Sequence, residues 1–221
     1  MLPRIERVLG EWLAAGARGI GEIAIVRQNG GFVLSHRDDE KTEGALEIFR
    51  APNDAVSIAK FDDGDNFRPL KTAPNLRRGW RLELPDLRAL GVALEFFYPG
   101  RLAVLCAWEE NCLTTTPLRA TLNRQTGMYR VAATISDDEV GTLVGRFCRS
   151  RGGAPGCLRT ILWARDETQA RPSLQLPLDK FIAPIDQTGR GEKVLPLLCQ
   201  EACNLLVAEA RKVVKAEVPR A

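Results

Sequence analysis

Hydrophobic residues recur at helical spacing near the start of the chain. Apolar side chains stand at Ile5, Val8, Leu9, Trp12 and Leu13. Side chains three or four residues apart lie on one face of a helix, so the spacing predicts an amphipathic helix over residues 3–14. Gly16 and Gly19 follow and are expected to end it.

The next stretch alternates apolar runs with turn residues, as strands do. GEIAIVRQ and FVLSHRDD are rich in β-branched residues and are separated by Asn29-Gly30-Gly31. Asn-Gly readily adopts the positive φ angles of tight hairpin turns, so the pattern predicts a β-hairpin. ALEIFR predicts a further strand. Residues 52–54 predict the start of a short helix that reaches about Phe61, with Asn53 or Asp54 as its N-cap.

Turn residues dominate residues 61–80, which predicts irregular structure. Within RRGWR, Trp80 is interpreted as a packing residue beside surface arginines rather than a phosphate or ring-binding site. Pro85-Asp86 then opens a predicted helix. Its apolar stripe consists of Leu87, Leu90, Leu94 and Phe97. Tyr98-Pro99-Gly100 ends that helix, and we take this break as the boundary between domains 1–100 and 101–221.

The second half of the chain shows mainly helical patterns. Residues 101–113 fit either a helix or a short strand. Residues 135–148 predict a helix that Ser136 and Glu139 begin with a capping box. CLRTILW is typical of a strand or a short helix, and a last helix is expected from about Pro196 to Val214. Together these patterns predict an α+β fold of two small domains, the second mainly helical around a cysteine-lined site.

Composition limits the class of protein. The 221 residues are 45% hydrophobic and 27% charged, as in an ordinary soluble protein. No apolar run approaches the roughly 18 residues of a membrane span, and the N-terminal stretch lacks a signal-peptide core. We therefore expect a cytoplasmic protein without a membrane partner. A net charge of +3 is too small to predict nucleic acid as a partner without a clustered basic patch.

The cysteines supply the candidate chemistry. Thiols stay reduced in the cytoplasm, so six cysteines favour metal binding over disulfides. Cys148 and Cys157 flank a loop with three glycines, and Cys199 and Cys203 are four positions apart at the predicted start of the last helix. Residues four apart share a helical face. Two close pairs of thiols therefore predict one shared metal or cluster site.

The spacing favours a 4Fe–4S cluster over zinc. Clusters and structural zinc both accept four thiolates, but zinc sites usually show C-x₂-C knuckles, which are absent here. The C-x₂-C-x₂-C run of ferredoxins is absent too. The predicted helix start at Cys199 would favour anions by roughly 0.3–1 kcal/mol. Arg149, Arg151 and Arg159 would act in the same direction. A structural Cys₄ zinc module for protein interaction remains the alternative.

The other candidate residues are weaker. Cys106 lies in the apolar run LAVLCAW and is interpreted as a core residue. Cys112 follows a polar turn and is an alternative ligand should one of the favoured four not bind. His36 is the only histidine, and there is no phosphate-binding loop or dinucleotide motif. We therefore identify no catalytic constellation. RQTGMYR, at 124–130, fits either a small-molecule or partner site or a locally satisfied turn.

Three segments resemble a known family. LNRQTGMYRVA, GCLRTILW and PLLCQEACNLLVAEARK are similar to the C-terminal region of a Deinococcus family of sirohydrochlorin cobaltochelatase-like proteins. That region comprises a small stabilising domain followed by a 4Fe–4S cluster-binding domain. The resemblance implies that Cys148, Cys157, Cys199 and Cys203 hold the cluster.

The resemblance carries over only in part. In that family the region follows domains that insert metal into tetrapyrroles, and we expect no such domain ahead of these segments. One histidine cannot supply the metal-handling residues of a chelatase, so its activity is not expected in this chain. We expect instead a redox or electron-transfer accessory protein linked to tetrapyrrole metal chelation. Its partner would be a separate chelatase or redox protein.

Overall fold

The computed structural model describes residues 2–41, 46–125, 127–148, 156–163 and 193–217. The chain divides into two compact units, one of residues 1–111 with 175–197 and one of residues 112–174 with 198–221. In chain order the helices and strands are α1 (Leu2–Ala14), β1 (Ala17–Ile20), β2 (Ile23–Gln28), β3 (Gly31–His36), β4 (Glu47–Phe49), α2 (Asp54–Lys60), β5 (Trp80–Leu84), α3 (Leu87–Phe97), α4 (Arg101–Glu109), α5 (Leu118–Asn123), α6 (Asp137–Phe147), β6 (Thr160–Ile161), β7 (Lys193–Leu195), β8 (Leu198–Cys199) and α7 (Asn204–Glu217). Residues 37–41 and 127–134 form 3₁₀ helices.

A mixed sheet organises the first unit. Its six strands lie in the order β4-β5-β3-β2-β1-β7. β1 pairs with β2, β2 with β3, and β3 with β5, and these three pairs are antiparallel. β4 pairs with β5, and β7 pairs with β1, in parallel. Helices and a mixed sheet within the described residues confirm the predicted α+β class. Strand β1 was not predicted, because ARGI is too short to show a period.

The predicted hairpin is confirmed. β2 and β3 pair with Val26 opposite Val33 and Gln28 opposite Gly31. Between them Asn29 and Gly30 have φ angles of 50° and 81°, as the favoured two-residue hairpin turns require. Gly31 is needed for a different reason, since a Cβ there would lie 2.3 Å from the carbonyl oxygen of Leu84 on β5.

One face of the sheet carries the core of the first unit. Trp80 at the start of β5 is fully buried and stacks on Phe97 of α3, with ring centroids 5.1 Å apart. This confirms the interpretation of Trp80 as a packing residue. Asp86 begins α3 as predicted, because its side chain accepts the backbone N–H of Ala89 at 2.8 Å. Asn53 stands at the N-cap of α2 but makes no side-chain capping bond.

A buried ion pair ties the irregular segment to the sheet. The side chain of Arg68 is 1% exposed, and its Nη2 lies 3.6 Å from Oε2 of Glu22. The guanidinium also donates to Asn75 Oδ1 and to the carbonyls of Ala59, Lys71 and Ala73. Glu22 in turn accepts the backbone N–H of Leu76 at 3.1 Å. Residues 61–80 are therefore irregular yet anchored.

The first unit extends beyond the boundary that the sequence predicted. Pro99-Gly100 forms a turn, with Gly100 at a φ of 73°, and it joins α3 to α4. Both helices belong to the first unit, which continues to Asn111. The turn connects two helices that belong to the same unit. Turn residues in a sequence look the same within a domain and between two domains.

No single helix among the described residues is long and apolar enough to cross a membrane. In this part of the chain, α3 and α4 reach such a length and apolar content only as a pair, and they are bent by 114° relative to each other.

The second unit is mainly helical, as predicted. α6 begins with the predicted capping box: Ser136 accepts the N–H of Glu139, and the Glu139 carboxylate accepts the N–H of Ser136 at 2.9 Å. A single apolar cluster joins α5, the 127–134 segment, α6 and α7. Its buried members include Leu122, Ala132, Val140, Leu143, Trp163, Leu206, Val207 and Ala210.

Candidate metal centre

The end of α6 brings the first pair of cysteines together. Cys148 caps the helix C-terminus, where its backbone N–H donates to Val144 at 3.0 Å. After the loop of 149–155, which lies outside the described residues, the N–H of Cys157 donates to the carbonyl of Phe147 at 3.1 Å. This hydrogen bond places Cys157 beside the end of α6, where Cys148 lies.

Cys199 lies on a strand, so the prediction of a helix from Pro196 was wrong at its start. β8 pairs in parallel with β6, with Cys199 opposite Ile161, and the N–H of Leu162 donates to the Cys199 carbonyl at 3.0 Å. A short apolar run such as PLLC suits a buried strand as well as a helix. Cys199 and Cys203 therefore do not share a helical face.

Cys203 stands where the last helix actually begins. α7 starts at Asn204, and the Cys203 carbonyl accepts the N–H of Val207 at 3.2 Å. An N-cap residue accepts the first intrahelical bond in this way. The positive end of the helix dipole, expected at Cys199, is therefore at Cys203, where it favours a nearby negative charge.

Two side chains that follow Cys157 donate N–H groups to sulfur. Arg159 Nε lies 3.2 Å from Cys157 Sγ, and Arg159 Nη1 lies 3.9 Å from Cys199 Sγ. Trp163 Nε1 lies 3.2 Å from the same Cys199 Sγ. The Cys199 thiol itself donates to the carbonyl of Glu201 at 3.1 Å. Sulfurs from both predicted pairs thus share one guanidinium.

Packing brings the four thiols into one neighbourhood, since Cys148 and Cys203 pack against the apolar cluster that contains Cys199 and Arg159 contacts both Cys157 and Cys199. The pKa of Cys148 is raised to about 12, chiefly by burial and in addition by the charges of Cys203, Cys199 and Cys157, whereas Arg159 opposes the rise. Burial also raises the pKa of Cys199, against the lowering effects of Arg159 and the Trp163 hydrogen bond. Without a bound cation, the buried thiols are held neutral. Ligation would release their protons.

The donor set is compatible with a cluster. In a 4Fe–4S cluster each of four thiolates binds its own iron, and hydrogen bonds to the sulfurs tune the cluster. Cys148, Cys157, Cys199 and Cys203, with the N–H donors of Arg159 and Trp163, supply these groups. Among the described residues, no group of three or more His, Cys, Asp or Glu side chains is arranged to hold one metal ion.

Cys106 and Cys112 differ from these four. Cys106 is 1% exposed within α4 of the first unit, and burial raises its pKa, which matches its interpretation as a core residue. Cys112 is exposed at the start of the second unit. Its role as an alternative ligand stays a prediction.

His36 and the RQTGMYR segment show local contacts. His36 is buried on β3, with its Nδ1 accepting the N–H of Asp38 at 3.1 Å. Arg124 pairs with Glu201 at 3.2 Å, and Gln125 donates to the carbonyl of Thr121 at 3.0 Å. These two contacts are those of a locally satisfied turn. Residue 126 and the side chains of 128 and 129 lie outside the description.

Trp163 was missed as a member of the site. Only Thr160–Ile161 of the segment 157–163 form a strand, so no simple alternation identified Trp163 from the sequence. Its proximity to Arg159 in the chain was the available signal.

Two family descriptions match the chain, one over each half. Residues 8–110 match the DR2241 stabilising domain, and residues 110–212 match a 4Fe–4S iron–sulfur cluster binding domain. Their junction falls beside residue 111, where the two compact units divide. The second match supports iron–sulfur binding, whereas nothing supports the zinc alternative.

One solved structure resembles almost the whole chain. The crystal structure of DR2241 from Deinococcus radiodurans is 28% identical, with a TM-score of 0.74, over 96% of this chain and 41% of that one. It is described as a multi-domain protein with structural similarity to chelatases and two additional novel domains. This chain therefore spans about two fifths of the length of that relative. No curated protein matches it. The resemblance expected from the sequence is confirmed.

Proposed function

We propose that this chain, whose two halves resemble a stabilising domain and a 4Fe–4S cluster-binding domain, binds one 4Fe–4S cluster through Cys148, Cys157, Cys199 and Cys203. The observation that carries the proposal is that Arg159 contacts the sulfurs of Cys157 and Cys199, and that Cys148 and Cys203 pack against the cluster containing Cys199, within the segment that matches the cluster-binding family. When bound, the cluster would supply reversible one-electron chemistry.

The protein's own residues prepare the site for an anionic group. Cys199 is 8% exposed and Trp163 is 5% exposed, so the side of the site that they form is shielded from water. The Arg159 guanidinium places a positive charge between Cys157 and Cys199. The start of α7 adds partial positive charge at Cys203. The guanidinium and the helix start therefore favour negative charge at the site, whereas burial keeps water away from it.

We further propose a non-catalytic role as a redox or electron-transfer accessory. A link to tetrapyrrole metal chelation is supported by the Deinococcus relative, which is described as similar to chelatases. The partner would be a separate chelatase or a redox protein.

Metal analysis of anaerobically purified and reconstituted protein tests cluster binding. We expect brown protein with iron and acid-labile sulfide in equal amounts, about four of each per chain. Single Cys→Ser changes at the four positions should lower both contents, whereas Cys106→Ser should leave them unchanged. Colourless protein with zinc and no sulfide would overturn the proposal. Loss of iron in Cys112→Ser, with iron retained in one of the four variants, would replace that ligand by Cys112.

Reversible reduction tests the redox role. We expect dithionite to bleach the reconstituted protein and a mild oxidant to restore its colour, without loss of iron. A cluster that falls apart on its first reduction would contradict an electron-transfer role while leaving cluster binding intact.

A further inference from the structure

Two side chains in the short segment 157–163 donate N–H groups to the sulfurs of two different cysteines. Arg159 Nε lies 3.2 Å from Cys157 Sγ, and Trp163 Nε1 lies 3.2 Å from Cys199 Sγ. The second guanidinium contact, from Nη1 to Cys199 Sγ, is longer at 3.9 Å. Cys199 therefore receives one close neutral donor and one more distant charged donor, and Cys157 receives one close charged donor.

The charge on Arg159 is held in place by the sulfurs. Arginine is protonated at every accessible pH. The positive charge beside the sulfurs is therefore permanent.

We propose that Arg159 and Trp163 set the reduction potential of the bound cluster by hydrogen bonding to the sulfurs of Cys157 and Cys199. The inference rests on the proposed function, since it requires the cluster to be held by these cysteines. Both side chains act through the ligands and hold the potential above the value that the four thiolates alone would give.

The direction follows from charge. One-electron reduction by an external donor makes the cluster and its thiolates more negative, and no proton needs to move. N–H dipoles and a guanidinium aimed at sulfur stabilise the more negative state more than the less negative one, and hydrogen bonds to the sulfurs are a known determinant of cluster potential. The effect is large where water is excluded, because charges interact more strongly at low dielectric.

The two residues should contribute unequally. Arg159 carries a full charge and contacts two sulfurs, whereas Trp163 offers one neutral N–H to one sulfur. Trp163 is the more buried residue and belongs to the apolar core of the second unit. Arg159→Gln should therefore lower the potential more than Trp163→Phe, which removes the N–H but keeps an aromatic ring in the core.

The test is a potentiometric titration of reconstituted protein, followed by visible absorption or electron paramagnetic resonance. The variants are Arg159→Gln, Arg159→Lys and Trp163→Phe, with iron and sulfide content measured on each sample. We expect full cluster content, a midpoint potential lowered in Arg159→Gln and Trp163→Phe, and a partial return in Arg159→Lys because the charge is kept. The double variant Arg159→Gln/Trp163→Phe should have the lowest potential.

Two controls separate this effect from general damage. Lys212→Gln removes a positive charge from α7 nine residues beyond Cys203, where Lys212 pairs with Glu209. At 1.5 Å per residue it lies about 13 Å along the helix. Trp12→Phe removes an indole N–H that donates to Glu109 in the first unit. Neither change should move the potential.

The outcomes distinguish the two proposals. Wild-type protein that takes up no iron and sulfide would refute the proposed function and with it this inference. A wild-type cluster whose potential is unchanged in Arg159→Gln and Trp163→Phe would refute only the role of these residues. Loss of the cluster from both variants, with the fold intact by circular dichroism, would also overturn it, because the residues would then be required for assembly.

Discussion

Arg68 provides the sharpest test of how the first unit is held together. Its guanidinium is buried, lies 3.6 Å from the carboxylate of Glu22 and donates to Asn75 and three backbone carbonyls. Burial lowers the pKa of Arg68, and Glu22, Tyr98 and Asp62 counteract this. Nearby groups, Glu22 above all, therefore stabilise the positive charge of Arg68. A substitution of Arg68 would leave the Glu22 carboxylate without its ion-pair partner.

We expect Arg68→Met to destabilise the first unit by about 3 kcal/mol. Removing one partner of a buried ion pair typically costs roughly 3–5 kcal/mol, since the other charge is left uncompensated. The lower end applies because 3.6 Å exceeds a direct hydrogen-bond distance. Hydrogen exchange of the β2 and β3 amides in the intact chain measures this free energy.

Arg50→Met is the matched control, because Arg50 pairs with Glu83 at 3.4 Å but has a side chain that is 74% exposed. An exposed pair contributes about 0–1 kcal/mol. Glu22→Gln should lower the free energy of unfolding less in the Arg68→Met background than in the wild type. If Arg68→Met and Arg50→Met lowered the free energy of unfolding equally, the stabilising role of the buried ion pair would be refuted.

Three further predictions follow from single contacts. Gly31→Ala should weaken the sheet severely, because the new Cβ would lie 2.3 Å from the Leu84 carbonyl; thermal unfolding measures this, and an unchanged midpoint would contradict it. Ser136→Ala should cost about 1 kcal/mol in urea denaturation through loss of the cap at Glu139, and a cost near zero would show that the cap is dispensable. The metal-free protein should lose stability as pH rises from 9 to about 12, because the folded-state pKa of Cys148 is raised above its ordinary 9.0. Cys148→Ser should flatten that part of the urea stability profile, and an equally steep profile in the variant would assign the loss to other groups.

The hairpin turn and the starts of α3 and α6 were predicted correctly, because one local chemical feature determines each of them. The Asn29-Gly30 turn requires positive φ angles, and the Ser136–Glu139 capping box satisfies helix N–H groups from within one segment. Neither depends on the rest of the fold. The same holds for Asp86 at the start of α3.

The sequence indicated which cysteines lie near one another but not the elements that carry them. Reduced thiols in two close pairs predicted a shared centre, and Cys148 and Cys203 do pack against the cluster that contains Cys199, while Arg159 contacts Cys157 and Cys199. Their role as ligands stays a prediction. The apolar run around Cys199 forms a strand because β6, almost 40 residues earlier, pairs with it. Such a partner is invisible to local periodicity. The pairing of β7 with β1 in the first unit likewise joins segments far apart in the chain, which local patterns do not reveal.

Mössbauer spectroscopy of protein reconstituted anaerobically with ⁵⁷Fe and sulfide tests the central claim most directly. The account predicts that the iron is sulfur-coordinated and tetrahedral with the valence-delocalised pairs of a 4Fe–4S cluster. It also predicts that the signal disappears in a variant with all four of Cys148, Cys157, Cys199 and Cys203 replaced by serine. Iron that gives the spectrum of isolated mononuclear sites, or a cluster signal that survives the fourfold replacement, would contradict it.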